Sequence, residues 1–187
     1  MEIVFSKIKR TLKPFDGIIY FVVILLLSHF IWKFSIKSDD TDTIITLFGN
    51  DISTVFNDMA IHITQTTIII LNFLGINVEL EPNNVIRHLN GHAVKIVWSC
   101  TGLKQAYIYI CIILFYKGPF KHKLWYIPAG LVIVYLFNIF RISATTAIVS
   151  VRPQWFDFVH EELFKYLFYI VIFGMWILWE EKFVLKK

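Results

Sequence analysis

The chain has 187 residues, of which 57% are hydrophobic and 17% charged, and its formal net charge is +4 at pH 7. This apolar content excludes an ordinary soluble domain and predicts a single integral membrane domain over residues 1–187. The basic residues are not interleaved with aromatic residues on one face, so we expect no nucleic-acid partner.

Four apolar segments predict an all-α polytopic membrane protein. A helix needs about 20 predominantly apolar residues to cross a bilayer. Three segments approach that length, residues 15–34, 124–140 and 163–179, and a shorter fourth covers residues 102–116. The first segment follows basic residues, as in a signal peptide, but no small-residue cleavage site follows it. We therefore expect about four transmembrane helices, with the first retained as an anchor.

The distribution of positive charge predicts the orientation. Ten of the 18 lysines and arginines fall in the N-terminus, the loop of residues 117–123 and the C-terminal tail. Short cytoplasmic loops retain lysine and arginine, so we expect these three pieces inside the cell and the long stretch of residues 44–99 outside it. The predicted location is the inner (cytoplasmic) membrane, which the chain crosses several times.

Residues 44–99 predict two extracytoplasmic elements. Residues 43–75 are apolar at helical spacing but carry several polar side chains, which is typical of an amphipathic helix on the outer leaflet. Further on, two short apolar strands flank Asn90 and Gly91, a dipeptide that favours a type I′ turn because both central residues tolerate positive φ. We therefore predict a small β-hairpin that leads into the segment around Cys100.

The segment WSCTGLKQ, residues 98–105, places a cysteine directly before the second apolar segment. Ser99 or Thr101 is a natural N-cap for the helix that follows, which puts Cys100 at the positive end of the helix dipole. Lys104 lies one turn further on, and a nearby cation favours a thiolate. The segment therefore predicts a nucleophilic cysteine.

The same segment also has a purely structural interpretation. Gly102 leaves room for a second backbone to approach, and a helix cap of small residues can include a cysteine that has no chemical role. Cys111 lies within the apolar run and is most simply a small buried residue. On one helix the two cysteines are about 16 Å apart, which is beyond the reach of a disulfide bond.

Arg141 lies near the outer end of the third apolar segment. An arginine costs about 3 kcal/mol at the centre of a membrane helix, less near the interface, and usually faces a cavity or a partner. Asn138, three residues earlier, shares its face of the helix and can orient it. The alternative is that Arg141 reaches toward lipid phosphates at the interface.

His160 begins the next predicted helix and is followed by two glutamates. A histidine can accept or donate a proton near neutral pH, although an ordinary interfacial histidine fits as well. The other histidines have no metal-ligand spacing, so we expect no metal site. On the predicted topology Cys100, Arg141 and His160 share the outer face. Together they supply the nucleophile, cation and proton carrier of cysteine-based acyl transfer.

These residues resemble the motifs of the exosortase/archaeosortase family of membrane cysteine transpeptidases. The resemblance covers about residues 55–180 and rests on SCTGLKQ at the head of a membrane helix, NIFRI at residues 138–142 and the downstream His160. Thr101 stands where the family commonly has serine, which keeps a hydroxyl group. The small size and the Ile-, Lys- and Asn-rich composition resemble the exosortase F type.

The resemblance implies a membrane cysteine protease or transpeptidase that uses no cofactor. Cys100 is then the nucleophile, Arg141 the cation that stabilises the transition state, and His160 the acid/base. The implied substrates are exported proteins with a C-terminal sorting signal, which are cleaved at the outer face and transferred to a surface acceptor. Membrane lipids are the other expected partners.

Two other functions are compatible with the sequence. A non-enzymatic membrane assembly or scaffold protein would use Arg141 to bind lipid headgroups and the hairpin to bind a partner protein. A haem or quinone site would use His29 or His62, and bound haem would give the purified protein an absorption band.

Overall fold

The computed structural model describes residues 16–39 and 44–185. The basic N-terminus, most of the acidic SDDTD stretch and the last two lysines lie outside these residues, and so does the first residue of the predicted first crossing. Within the described residues the chain is mostly helical, with short strands between the first three helices.

The described residues form five α-helices: α1 (Asp16–Ser35), α2 (Ser53–Phe73), α3 (Leu103–Phe115), α4 (Phe120–Val151) and α5 (Phe164–Trp179). Short 3₁₀ turns cover Trp98–Cys100 and Pro153–Trp155, and π-helical segments cover Phe158–Leu163 and Glu180–Leu185. Three helical runs are long and apolar enough to cross a bilayer: Asp16–Ser35, Phe120–Val151 and Pro153–Leu185. The predicted mostly helical membrane protein is therefore confirmed.

The number of crossings stays a prediction, because α3 is apolar but has only 13 residues, about 20 Å of helix. α4 is longer than the predicted crossing of residues 124–140. Hydropathy falls at Arg141, but no glycine or proline interrupts the chain from there to Val151, so the helix continues. It ends where Arg152 leaves the helical region in front of Pro153, as expected for a residue before proline.

α2 has one buried and one exposed face. Phe56, Ile63 and Leu71 pack inward, whereas Ile69 and Phe73 are largely exposed. This helix is not among the described runs that are long and apolar enough to span a membrane. Its position on the outer leaflet stays a prediction.

Two small antiparallel sheets precede the cysteine segment. The first joins β1 (Ile36–Ser38), β2 (Ile45–Leu47) and β3 (Asn50–Asp51), and the second joins β4 (Val78–Glu81), β5 (Val85–His88) and β6 (Ala93–Lys95). In the second sheet β5 and β6 pair with Ile86 opposite Val94. The sequence pattern does not predict the first sheet or β4, because strands of two to four residues carry too little alternation to be recognised.

The turn between β5 and β6 differs from the predicted type I′ turn. Gly91 has a φ of +89°, but Asn90 does not have positive φ. The His88 N–H donates to the His92 carbonyl at 2.8 Å, so three residues separate the paired positions. A three-residue loop with a left-handed glycine is another common hairpin connection. Two adjacent residues with positive φ occur instead between β4 and β5, at Asn83 and Asn84.

Two clusters of buried side chains hold the helices together. One lies among α1, α3, α4 and α5 and is rich in aromatic residues such as Phe168 and Trp179. The other packs the second sheet and α2 against α4 and includes Ile86 and Cys100. Cys111 belongs to the first cluster, so the two free cysteines are buried in different parts of the interior.

Candidate active site

Cys100 ends the 3₁₀ turn that connects the second sheet to α3. The Cys100 N–H donates to the Val97 carbonyl at 2.9 Å, and the Trp98 carbonyl accepts from both the N–H and the hydroxyl of Thr101, at 3.2 and 2.7 Å. Cys100 is only 5% exposed. The thiol is therefore covered in this state, and a substrate has to displace a neighbouring group to reach it.

The predicted N-cap of α3 by Ser99 or Thr101 is wrong. Gly102 is the N-cap residue, with a φ of +77° and no side-chain cap, and the Thr101 hydroxyl is bonded to the preceding turn. α3 begins at Leu103, so Cys100 lies before the cap. Because the helix dipole acts mainly within the first turn, it is not the main source of positive potential at the thiol.

Asn138 connects the cysteine turn to α4. Its side-chain N–H donates to the Cys100 carbonyl at 2.9 Å, and Asn138 is almost fully buried. A Cβ atom at Gly102 would lie 2.9 Å from Asn138 Cγ, which is too close for any side chain. Gly102 therefore makes room for the asparagine side chain and not for a backbone. Asn138 positions the cysteine turn rather than hydrogen-bonding to Arg141.

Arg141 lies about one turn beyond Asn138 on the same face of α4. It is 7% exposed, its Nε–H has no hydrogen-bond partner, and no carboxylate pairs with it within the described residues. The Cys100 thiol lies within its electrostatic range. A terminal nitrogen donates to His160 Nε2 at 3.4 Å, which is long for a hydrogen bond. The guanidinium thus links the predicted nucleophile to the predicted acid/base.

The contact with Arg141 favours one tautomer of the neutral His160 ring. A guanidinium has only donors, so His160 Nε2 accepts and the neutral ring carries its proton on Nδ1. The ring stacks on Phe156, with 5.2 Å between ring centroids and 7° between planes. His160 lies in the π-helical segment directly before α5. It is therefore placed as a neutral base whose acceptor nitrogen, Nε2, lies against Arg141.

Two cavities meet at the cysteine turn. The first, the cationic cavity, has a volume of about 410 Å³ and is lined by His29, Ser99, Lys104, Gln105, Arg141, His160, Lys165 and Tyr169. The second, the aromatic cavity, has a volume of about 210 Å³ and its walls include Trp32, Phe56 and Trp98. Ser99 and Lys104 line both cavities, so the cysteine turn lies at their junction.

Lys104 faces other lysines. The charges that act on it come from Lys165 and Lys33, whereas Arg141 is within electrostatic range of Cys100. The sequence pattern offers Lys104 as a cation for the thiol. The electrostatic contacts favour Arg141 for that role, and Lys104 lines both cavities.

The sequence motifs did not single out three residues of the cationic cavity, Gln105, Lys165 and Tyr169. Lys165 and Tyr169 share a face of α5, one turn apart. The π-helical segment that contains His160 sets the position of these two residues relative to the histidine. Such a segment has no recognisable sequence signature. Gln105 directly follows Lys104 at the end of the WSCTGLKQ motif. That position was the one sequence feature that could have indicated a place in the cavity.

Residues 43–179 match the sequence profile of a family described as transmembrane exosortase. The chain belongs to the transmembrane exosortase family. The matched range of this exosortase contains Cys100, Asn138, Arg141 and His160, and the family resemblance predicted from the sequence is confirmed. Comparisons with curated proteins and with solved structures found no match.

We expect Gly102→Ala to loosen the cysteine turn, because the new Cβ displaces Asn138 from the Cys100 carbonyl. The loss of one buried hydrogen bond, about 1.4 kcal/mol, corresponds to an about tenfold larger population of the open turn. Alkylation of Cys100, measured by mass spectrometry in a Cys111→Ser background, should therefore accelerate about tenfold.

Gly75→Ala is the matched control for this substitution. Gly75 has nearly the same left-handed backbone, with a φ of +78°, but no atom lies within 4 Å of the added Cβ. Gly75→Ala therefore introduces the same strain of an alanine at positive φ, but no collision with a neighbouring side chain. Equal alkylation rates in the two variants would show that Asn138 does not position the cysteine turn.

Proposed function

We propose that this chain is a membrane cysteine transpeptidase that cleaves the C-terminal sorting signals of exported proteins and transfers the cleaved proteins to a surface acceptor. The observation that carries the proposal is the buried Arg141 guanidinium, which lies within electrostatic range of Cys100 and donates to His160. Membership of the transmembrane exosortase family supports the same role.

The environment of Arg141 favours the formation of a negative charge beside it. A buried charge without a partner is costly in the resting protein, and no carboxylate pairs with Arg141 in the described part of the chain. Its unused Nε–H can donate to an anion. Preorganised donors of this kind stabilise the charge that develops in acyl transfer. The Cys100 thiolate and the oxyanion of a tetrahedral intermediate are two such charges.

The proposed first half-reaction uses each of the three side chains. His160 Nε2 gives up its long contact with Arg141 and takes the thiol proton, and the Cys100 thiolate forms a C–S bond with the substrate carbonyl carbon. Arg141 stabilises the resulting oxyanion. The intermediate collapses with cleavage of the C–N bond, and the leaving amine takes the proton from His160. A thioester of the substrate on Cys100 remains.

The second half-reaction releases the substrate from the enzyme. An acceptor amine, or water, attacks the thioester carbonyl and passes its proton to His160 Nε2. The C–S bond breaks, and Cys100 leaves as a thiolate beside Arg141. The proton of His160 then returns to the thiolate, which restores the resting state.

The ends of the helices support an extracytoplasmic active site. The loop of residues 117–119, predicted to be cytoplasmic, packs against the end of α5, where Trp179 Nε1–H donates to the Lys117 carbonyl at 2.8 Å. Arg141 lies 21 residues beyond the start of α4 at Phe120, about 31 Å along the helix. The hydrocarbon core of a bilayer is about 30 Å thick. The loop and the site are thus about one membrane thickness apart, as the proposed orientation in the inner membrane requires.

Cys100→Ser should abolish processing, because a serine hydroxyl is a far weaker nucleophile than a thiolate. The measurement is the gel mobility of a co-expressed exported reporter that carries a native C-terminal sorting signal. Cys111→Ser is the matched control, since Cys111 is also buried and free. Processing that survives Cys100→Ser would favour the scaffold function instead, and equal loss from both variants would also count against the proposal.

Arg141→Lys should lower the processing rate about 100-fold or more, the size of effect seen when one oxyanion donor is removed. The lysine keeps the charge but lacks the planar fork that reaches two acceptors. Arg87→Lys serves as the control, because Arg87 is an exposed arginine of β5 paired with Glu81. A pulse-chase measurement in which Arg141→Lys and Arg87→Lys process the reporter equally fast would exclude Arg141 from the reaction.

A further inference from the structure

The proposed reaction leaves much of the positive charge in the cationic cavity unused. Arg141 acts on the reacting carbonyl, but Lys104 and Lys165 line the same cavity, together with the neutral His29. Lys33 lies within electrostatic range of His29 and Lys104. These basic residues come from α1, α3 and α5, so the fold, and not one basic stretch of sequence, brings them together.

Neither lysine of the cavity has a carboxylate partner within the described residues. None of the residues that line the cavity has a carboxylate, and neither Lys104 nor Lys165 forms an ion pair in the described part of the chain. Lys104 and Lys165 act on each other electrostatically, and like charges in such a site repel. An anion in the cavity removes this repulsion.

Two residues that line this cavity also carry a buried polar atom without a hydrogen-bond partner within the described residues. Arg141, more than nine-tenths buried, has an unpartnered Nε–H, and the buried Gln105 Oε1 has no hydrogen-bond partner. Both residues line the cationic cavity. Because buried polar groups in proteins are nearly always hydrogen-bonded, the unpartnered Arg141 Nε–H is a donor that suits an anionic ligand. Gln105 Oε1 is an acceptor and would need a donor from the ligand.

The size and position of the cavity favour phosphate over a single carboxylate. Two lysines and a guanidinium offer donors for three or more oxygens, which suits a phosphate group. The volume of about 410 Å³ is that of a small-molecule site. His29 and Tyr169 lie in helical runs that are long and apolar enough to span a membrane, and the nearby Phe30 and Ile170 are exposed apolar residues.

We propose that the cationic cavity binds a phosphate group, held by Lys104 and Lys165 together with Arg141, beside the cysteine turn. The binding does not require the thiol, so it goes beyond the proposed peptide chemistry. A membrane lipid and a soluble phosphorylated compound present the same oxygens to these side chains, and the experiment separates the two sources.

The test uses the full-length Cys100→Ala protein in detergent, in which no acyl-enzyme forms. Its thermal unfolding is followed with four probes: dioleoyl phosphatidic acid, dioleoylglycerol, inorganic pyrophosphate and a glutamate-rich peptide. A ligand that binds only the folded state raises Tm with concentration. We expect phosphatidic acid to raise Tm at concentrations where dioleoylglycerol, which has the same chains and no phosphate, does not.

The variants locate the binding. Lys104→Gln/Lys165→Gln should weaken the apparent Kd for phosphatidic acid at least about tenfold, since each charge-assisted hydrogen bond contributes about 1.5 kcal/mol or more. Lys117→Gln, at the opposite end of the helices, should leave the Kd unchanged. The single variants Lys104→Gln and Lys165→Gln give the same comparison if the double variant does not fold.

Each outcome bears on the proposal. A rise in Tm with phosphatidic acid alone assigns the phosphate to a lipid. A rise with pyrophosphate as well assigns it to a soluble compound. Either result supports the site if the lysine variants lose the effect. An equal rise with dioleoylglycerol, no rise with any probe, or an unchanged Kd in the lysine variants overturns it. If a glutamate-rich peptide binds more tightly than pyrophosphate, and the lysine variants lose that binding, the ligand is an acidic protein segment and the phosphate proposal is wrong. Because Cys100 is absent, these results are independent of processing.

Discussion

The hydrogen bond from Asn138 to the Cys100 carbonyl is the contact on which the rest of the site depends. It joins a short turn at the end of a small sheet to a long membrane helix, and only a glycine at position 102 leaves room for it. Because Arg141 lies three residues beyond Asn138, the same bond sets the position of the thiol relative to the guanidinium. A local backbone requirement thus controls the geometry of two side chains that are 41 positions apart in the sequence.

Electrostatics at this site centre on Arg141 rather than on a helix terminus. The guanidinium is buried, has no carboxylate partner within the described residues, and contacts a neutral histidine through its acceptor nitrogen. Such an arrangement is unfavourable at rest and becomes favourable when a thiolate or oxyanion forms. In the proposed reaction, the free energy lost by burying the cation in the resting protein is recovered when the negative charge forms, which lowers the barrier.

Several features of the fold and the site follow from local sequence properties, and others do not. Long apolar runs identify the membrane helices, and the spacing of Asn138 and Arg141 on one helix face puts both near Cys100. The N-cap of α3 is wrong in the sequence analysis because Thr101 bonds backwards to Trp98, which competes with capping. The π-helical segment at His160 and the convergence of Lys104 with Lys165 depend on tertiary packing, which a single sequence does not encode in a recognisable pattern.

In the proposed reaction Cys100 forms a covalent bond with the substrate. The most direct measurement is intact mass spectrometry of the purified protein after incubation with a peptide that carries the sorting signal, in the absence of an acceptor. We expect an increase in mass equal to the acyl part of the substrate, located on Cys100 by peptide mapping and removed by hydroxylamine, as for a thioester. Cleavage of the substrate with no adduct at any time, or with an adduct at another residue, would contradict it.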